Sequence, residues 1–372
     1  MKIVRINARQ LFALIVLFEL GTALVVPIGF VSEQSVWISI LLALVGGVLL
    51  FLIYDYLYRQ FPGLPLSGYI RKIFGNYIGW PVSLFYLGFF IHNDARVLRE
   101  TGELLVTTAL DVTPPFVINA LLMMAVIYVL YLGIEALART AEIYLLVIII
   151  LGVLGNLFVL LSGIIDIHNL FPLFGEGWKP IVESAFRNIL FFPFGEMICF
   201  AAILPYLNKI QSGRRTGSIA LIFSGLLLSV THAVEISVLG VSIYSRSTFP
   251  LFLTISKVNI ADFLQRLDAI VILTLIINAF FKCAIKCYAA VSIASDLFHV
   301  KKPQTLVLPI GVTILFSSMM TAGNWSEFSM KGQKVIMGVL LPLVSLIIPV
   351  LLLTVHLIRK RFGLYRFDTN DN

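Results

Sequence analysis

Two carboxylates stand beside glycines inside apolar segments that are long enough to cross a bilayer. Glu19 precedes Gly21 in the first segment, and Glu196 follows Pro193 and Gly195 in a later one. Proline removes a backbone donor and glycine loosens a helix, so we predict that both helices break at these points. Backbone groups freed in hydrocarbon are tolerated only where protein buries them or a wet cavity lies beside them. The pattern therefore predicts a transporter-like binding site between two interrupted helices.

A carboxylate at mid-depth in a membrane carries its proton or pairs with a cation, because a lone charge is costly there. Lys282, in the eighth predicted span, is the nearest candidate cation by depth for Glu19 and Glu196. One interpretation is proton coupling by these three residues, with the lysine in place of a coupling ion. The alternative is an ion pair that only locks the helices together.

The two breaks and their neighbours are also predicted to bind a small zwitterionic solute. Half-helix N-termini attract a carboxylate, and half-helix C-termini attract an ammonium group. The predicted ligand-binding residues lie at the breaks, in the aromatic run beside the second break, and in the eighth span: Glu19, Gly21, Thr22, Ala23, Phe191, Phe194, Gly195, Glu196 and Asn278. For each phenylalanine, packing or contact with lipid is the alternative role.

A further polar cluster lies in the third predicted span. Four ionisable residues follow each other at intervals of four, three and four positions, so they share one helical face: His92, Arg96, Arg99 and Glu103. One interpretation is a polar wall of an outer vestibule. The other is a self-neutralising ladder in which each arginine pairs with the glutamate four residues later. The two interpretations are compatible.

Composition indicates a polytopic membrane protein with essentially no soluble domain. The chain has 372 residues, of which 59% are hydrophobic and 13% charged. Soluble domains are roughly 45–50% apolar and about 25% charged. The net charge of +7 resides in short loops between apolar runs, which fits orientation in a membrane and not nucleic-acid binding. Lysine and arginine are concentrated in the alternate loops that include both termini, so we predict that both termini are cytoplasmic.

The chain has about ten predicted spans, in two halves of five. The halves are residues 1–165 and 181–358, and a polar tail follows at 359–372. An odd number of spans in each half places the halves in opposite orientations, which is the inverted-repeat arrangement. Two long outer loops, Asp166–Pro180 and Tyr244–Arg266, are either interfacial helices that cap a vestibule or ordinary connectors.

The sequence carries no recognisable enzyme signature. It has no phosphate-binding loop, no metal-ligand spacing and no nucleophile–base pair. Cys199, Cys283 and Cys287 all lie in apolar segments and are predicted to be small core residues. We therefore predict a protein that is not an enzyme and needs no cofactor or metal. The first apolar run is too long for a signal peptide and is predicted to be a retained span.

Three stretches together resemble one known family. They are the opening Ile6–Phe12, the segment Glu19–Ala23 followed by Pro27, and Phe192–Glu196. The chain resembles, over essentially its whole length, the B-subunit family of endospore germinant receptors, a branch of the amino acid–polyamine–organocation transporter superfamily. The resemblance implies an all-α integral membrane fold of about ten transmembrane helices, a LeuT-like 5+5 inverted repeat with broken helices 1 and 6.

The same resemblance implies a function. A small nutrient, usually an amino acid, would bind near the two breaks and trigger ion release and germination rather than bulk uptake. The partners would be an A subunit and a lipoprotein C subunit in the inner spore membrane or cell membrane, with both termini on the core side. Two alternatives are a proton-coupled amino-acid permease and a structural or channel-partner subunit with a vestigial site.

Overall fold

The computed structural model describes residues 5–175, 177–259, 267–321, 327–328 and 332–362. The regular elements of these ranges are helices, together with one β-bridge between Ile6 and Leu207. The α-helices are α1 (Ala8–Leu20), α2 (Val36–Gln60), α3 (Leu66–Phe74), α4 (Asn76–Thr108), α5 (Pro115–Leu132), α6 (Ile134–Leu161), α7 (Trp178–Ser184), α8 (Ile210–Arg246), α9 (Pro250–Ser256), α10 (Asp268–Leu297), α11 (Gln304–Met320) and α12 (Ile348–Arg361).

Seven of the described segments are long and apolar enough to cross a membrane. They are Val31–Gln60, Pro115–Leu132, Ile134–Leu161, Trp178–Ala202, Ile210–Arg246, Asp268–Leu297 and Lys334–Arg361. The other three predicted spans correspond to α1, α4 and α11. Helix α1 has 13 residues and α11 has 17, while polar residues interrupt the apolar sequence of α4. The helical membrane fold is thus supported, and the ten-helix LeuT-like repeat stays a prediction.

The first helix breaks at Gly21, as the sequence predicts. A capping box between Asn7 and Gln10 begins α1, and the helix ends at Leu20. Gly21 has a φ of +24°, a conformation that strains any residue with a side chain. The chain then forms turns, in which Val25 and Val26 both donate to the Thr22 carbonyl. No α-helix resumes until α2.

The second break combines a change of helix type with a four-residue turn at 190–193. Helix α7 passes into a π-helical turn at Ala185–Ile189, and a 3₁₀ helix follows at Phe194–Ala202. The Glu196 N–H donates to the Pro193 carbonyl, three residues back. The α-helical ladder is therefore interrupted at the predicted position. A Cβ placed on Gly195 would lie 2.9 Å from the Ser345 hydroxyl, so glycine is needed for this close approach.

Both broken segments lie inside the protein. Helix α1 packs against α8, α6 and α10, and the 3₁₀ segment packs against α2 and α10. Nearly all residues of α1 are buried, whereas α6 exposes a broad apolar face. The residues at the breaks are thus buried among other helices, as a helix interruption in a membrane requires.

The two loops that the sequence predicts to be outer carry short helices. Residues Ile167–Leu170 form a 3₁₀ turn, and α9 lies in the second loop, whose residues 260–266 are outside the described part of the chain. The predicted tail at 359–372 is described only to residue 362. The division into repeats at 1–165 and 181–358 stays a prediction.

Substitution of Gly47 in α2 by alanine is expected to destabilise the fold. The added Cβ would lie 2.6 Å from the Cβ of Phe194, which is fully buried in the second broken segment. Overpacking of this kind costs about 1–3 kcal/mol, so the thermal unfolding midpoint in detergent should fall. Gly88→Ala in α4 is the control, because its Cβ would meet open space. Equal midpoints for the two variants would contradict the packing described here.

Candidate functional site

The Glu196 carboxylate is the centre of a buried polar network. Its Oε1 accepts hydrogen bonds from Asn93 Nδ2 at 2.7 Å and from Lys286 Nζ at 2.8 Å. Lys282 Nζ lies 2.8 Å from its other oxygen, Oε2. All four side chains are buried. The network therefore joins the second broken segment to α4, through Asn93, and to α10, through both lysines.

Lys282 also lies directly against the first break. A Cβ placed on Gly21 would be 2.5 Å from the Lys282 Cδ and 3.2 Å from its Nζ. The ammonium group is 4.5 Å from the centre of the Phe192 ring, a cation–π contact. One lysine side chain thus fills the space between the two breaks.

Glu19 and Asn278 are the least satisfied members of the site. Glu19 is fully buried within range of the Lys282, Glu196 and Lys286 charges. Within the described part of the chain, neither carboxylate oxygen of Glu19 and neither polar side-chain atom of Asn278 has a hydrogen-bond partner. Unpaired buried polar groups cost about 1–3 kcal/mol each. Such groups are suited to hold a proton, an ordered water or a polar ligand.

The other predicted site residues differ in what they contact. The Ala23 carbonyl accepts a hydrogen bond from His232 Nε2 of α8 at 3.1 Å, because a carbonyl can only accept. Thr22 is buried at the first break, and Phe191 is buried beside the second. Phe194 packs against Gly47 of α2, which is the packing role that the sequence left open as an alternative.

A cavity of about 540 Å³ lies next to the network, on the side that the sequence predicts to be outer, and is called the outer cavity here. It is at the end of α8 that carries Arg246, and hence at the opposite end of the protein from the bridge between Ile6 and Leu207. Its wall includes the chain after the first break, the outer part of α4, and the segment before the second break: Val26, Pro27, Ile28, Gly29, Arg96, Glu100, Asn188, Ile189 and Phe192. Phe192 belongs both to this wall and to the cation–π contact with Lys282.

The polar face of α4 supports both interpretations given to it. Arg96 and Glu100 line the outer cavity, and Arg96 stacks 4.1 Å from the centre of the Phe328 ring. Arg99 and Glu103 form an ion pair at 3.5 Å, which is one of the two ion pairs predicted along this helix. None of the nine predicted ligand-binding residues is part of the cavity wall, which the neighbouring residues form instead.

Polar contacts close the side of the protein that holds the N-terminal residues. Arg71 of α3 pairs with Asp296 of α10 at 2.7 Å, and the Ser67 hydroxyl donates to the same carboxylate. The Ile6 N–H donates to the Tyr206 carbonyl at 2.8 Å. These contacts join α3 to α10, and the N-terminal residues to the chain before α8, at the end of the protein opposite the cavity.

Sequence reasoning did not assign Asn93, Lys286 or His232 to the site. A signal existed for Lys286, because it follows Lys282 by four residues and so shares its helical face. Asn93 follows His92 directly and so lies off the helical face that His92, Arg96 and Arg99 share. His232 contacts a backbone carbonyl, for which no sequence pattern exists.

Comparison with known proteins identifies the family. A family model described as "Spore germination protein" matches residues 5–326. The chain belongs to this spore germination protein family. It is 39% identical over 358 residues to spore germination protein KB of Bacillus subtilis (strain 168), covering 96% of each chain. It is 25% identical over 365 residues to spore germination protein YndE of the same organism, covering 96% of this chain and 98% of the relative.

Membership of the spore germination family, together with the seven apolar segments, makes the chain an integral membrane protein. The prediction that the chain belongs to a family of spore germination proteins is confirmed. The family is not one of enzymes.

Replacement of Glu196 by leucine is expected to destabilise the protein strongly. It would leave two buried ammonium groups without their carboxylate, and breaking a buried ion pair costs about 3–5 kcal/mol. Glu183→Leu is the matched control, because Glu183 pairs with Arg187 four residues later at an exposed position. Exposed pairs contribute about 0–1 kcal/mol. Denaturant unfolding in detergent should separate the two variants, and similar losses would contradict a structural role for the network.

Proposed function

We propose that this chain is the nutrient-sensing B subunit of a spore germinant receptor, which binds a small, amino-acid-like solute. The observation that carries the proposal is that a single buried ammonium, on Lys282, contacts both broken segments and the aromatic wall of the outer cavity. The resemblance to spore germination protein KB over 96% of both chains supports the biological context.

The solute would enter the outer cavity and reach the ring of Phe192. A carboxylate on that solute would be attracted by Arg96 on the wall and by Lys282 beneath the ring. Its other polar groups would meet the side chains of Glu19 and Asn278, which lack partners in the described part of the chain. The predicted ligand residues at the breaks, Gly21 and Gly195 among them, would then complete the site.

Signalling would follow from the position of Lys282. A ligand shifts a conformational equilibrium only by binding one state more tightly than the other. A solute that draws the Lys282 ammonium away from Glu196 would loosen the contact between the first break and the second. In this proposal the A subunit and the lipoprotein C subunit would detect that movement, in the inner spore membrane, with both termini on the core side.

A proton-coupled amino-acid permease is the second candidate. It is favoured by the fully buried carboxylate of Glu19, which has no hydrogen-bond partner among the described residues. This group lies close to the Lys282–Glu196 pair and can exchange a proton as the pair opens and closes. Proteoliposomes loaded with labelled amino acid separate the two functions. Robust exchange that depends on pH is the result expected of a permease, and its absence favours a sensor.

Thermal stability of the purified protein, measured with each of the twenty amino acids and common sugars, tests the proposed site. One or a few solutes should raise the unfolding midpoint. Phe192→Ala should weaken that response about tenfold or more, because it removes the wall that contacts Lys282. Phe186→Ala is the control, since Phe186 is exposed six residues earlier in the same segment.

A solute response that is equal in both variants would place the ligand elsewhere. If no solute shifts the midpoint while the receptor complex remains intact, the result favours a structural or channel-partner subunit with a vestigial site. Spores that carry each variant provide the biological readout, as the fall in optical density after nutrient addition.

A further inference from the structure

A second cavity lies on the membrane-facing side of the first break. Its volume is about 510 Å³, and its walls come from α1, α6, α8, α9 and α10. The α6 wall includes Val153, Leu157 and Leu160, which are 44–64% exposed, so the cavity opens towards the lipid. It extends along α8 from Phe223 to Glu235, which is about 18 Å of helix axis.

One ionisable side chain is found on this otherwise mainly apolar wall, as far as the structure describes it. Glu235 is fully buried, and its Oε2 lies 2.9 Å from His232 Nδ1. Its Oε1 has no hydrogen-bond partner within the described residues. Of the four other polar residues of the wall, Asn156, Thr254 and Thr274 donate to carbonyls of their own helices, and Thr231 is the fourth. The cavity wall therefore holds one buried carboxylate oxygen that has no partner among the described residues, in a mainly apolar surrounding.

The charge balance indicates the kind of head group that fits. Glu235 and His232 together are neutral wherever their shared proton lies. A cationic head group would leave a net charge buried at the edge of the hydrocarbon, which is costly. A hydroxyl group donates one hydrogen bond to the free oxygen and adds no charge.

We propose that this cavity is a binding site for an uncharged single-chain amphiphile, in which the alkyl chain lies along α6 and α8 and the hydroxyl head donates to Glu235. Its occupant contacts Leu20 and Leu24, which lie on either side of Gly21. His232, the partner of Glu235, holds the Ala23 carbonyl at the same break. The site is separate from the proposed nutrient site and does not depend on it.

Photolabelling in nanodiscs tests this site directly. The probe is a ten-carbon primary alcohol with a diazirine at the far end of its chain, used at a fixed mole fraction in the bilayer. Labelled peptides should include Ile148, Leu251 or Ile255 of the cavity wall. An excess of 1-decanol should remove most of this labelling, while decane and decylammonium should remove little.

Variants distinguish the site from ordinary lipid contact. Gly155→Leu fills the cavity, since a Cβ there meets only ordinary contacts with Ile255 and Ile270, and it should reduce labelling at least fivefold. Gly88→Leu is the control, because it adds the same side chain in open space on α4. Glu235→Leu should reduce labelling about tenfold, and Glu235→Gln, which retains an acceptor, about twofold or less.

Labelling that decane competes as well as 1-decanol, or that Gly155→Leu leaves unchanged, would overturn the proposal and indicate bulk lipid in the groove. Preferential competition by decylammonium would overturn the choice of an uncharged head group. Thermal unfolding of each variant in the same nanodiscs shows whether it is folded. If Glu235→Leu fails to fold, Gly155→Leu and Glu235→Gln still decide the result.

Discussion

The fold depends on one carboxylate that two lysines and an amide hold in the membrane interior. Glu196 could not remain charged at this depth alone, and Lys282 and Lys286 could not either. Together they form a compact group in which each charge has a partner at 2.8 Å. Because the partners come from α10 and from the second broken segment, with Asn93 from α4, none of these elements can move far without exposing a buried charge.

Glycine makes this arrangement possible. At Gly21 the chain turns in a conformation that suits only glycine, and the absence of a side chain leaves room for Lys282. At Gly195 the absence of a side chain lets the second broken segment approach Ser345. The helix interruptions are therefore more than weak points, because they create the space in which a buried lysine can contact both segments.

The first break is contacted from two directions. The outer cavity reaches the chain just after it at Val26 and Pro27, and the membrane-facing cavity reaches Leu20 and Leu24. Between them, His232 and Tyr244 of α8 hold the carbonyls of Ala23 and Ile28. The backbone of this segment is held by hydrogen bonds from side chains of α8. Such a segment is suited to respond to a solute or a lipid, because small changes in those hydrogen bonds alter the populations of its conformations.

Much of this molecule was predictable from the sequence. Apolar length and loop charge indicated a helical membrane protein, proline and glycine beside carboxylates located both breaks, and family motifs indicated a germination protein. Hydrophobic length and helix-breaking residues are local properties, so a single sequence determines them.

The tertiary structure decided which charges meet. Lys282 and Lys286 are one helical turn apart in α10, and the packing of α10 against the broken segments brings both to Glu196. The same packing places Lys282 against Gly21. The open cavity is lined by Phe192 and Arg96 and not by the residues predicted to bind the ligand. Partner choice inside a membrane depends on how helices rotate and approach each other, and that is a property of the assembled bundle and not of any one segment.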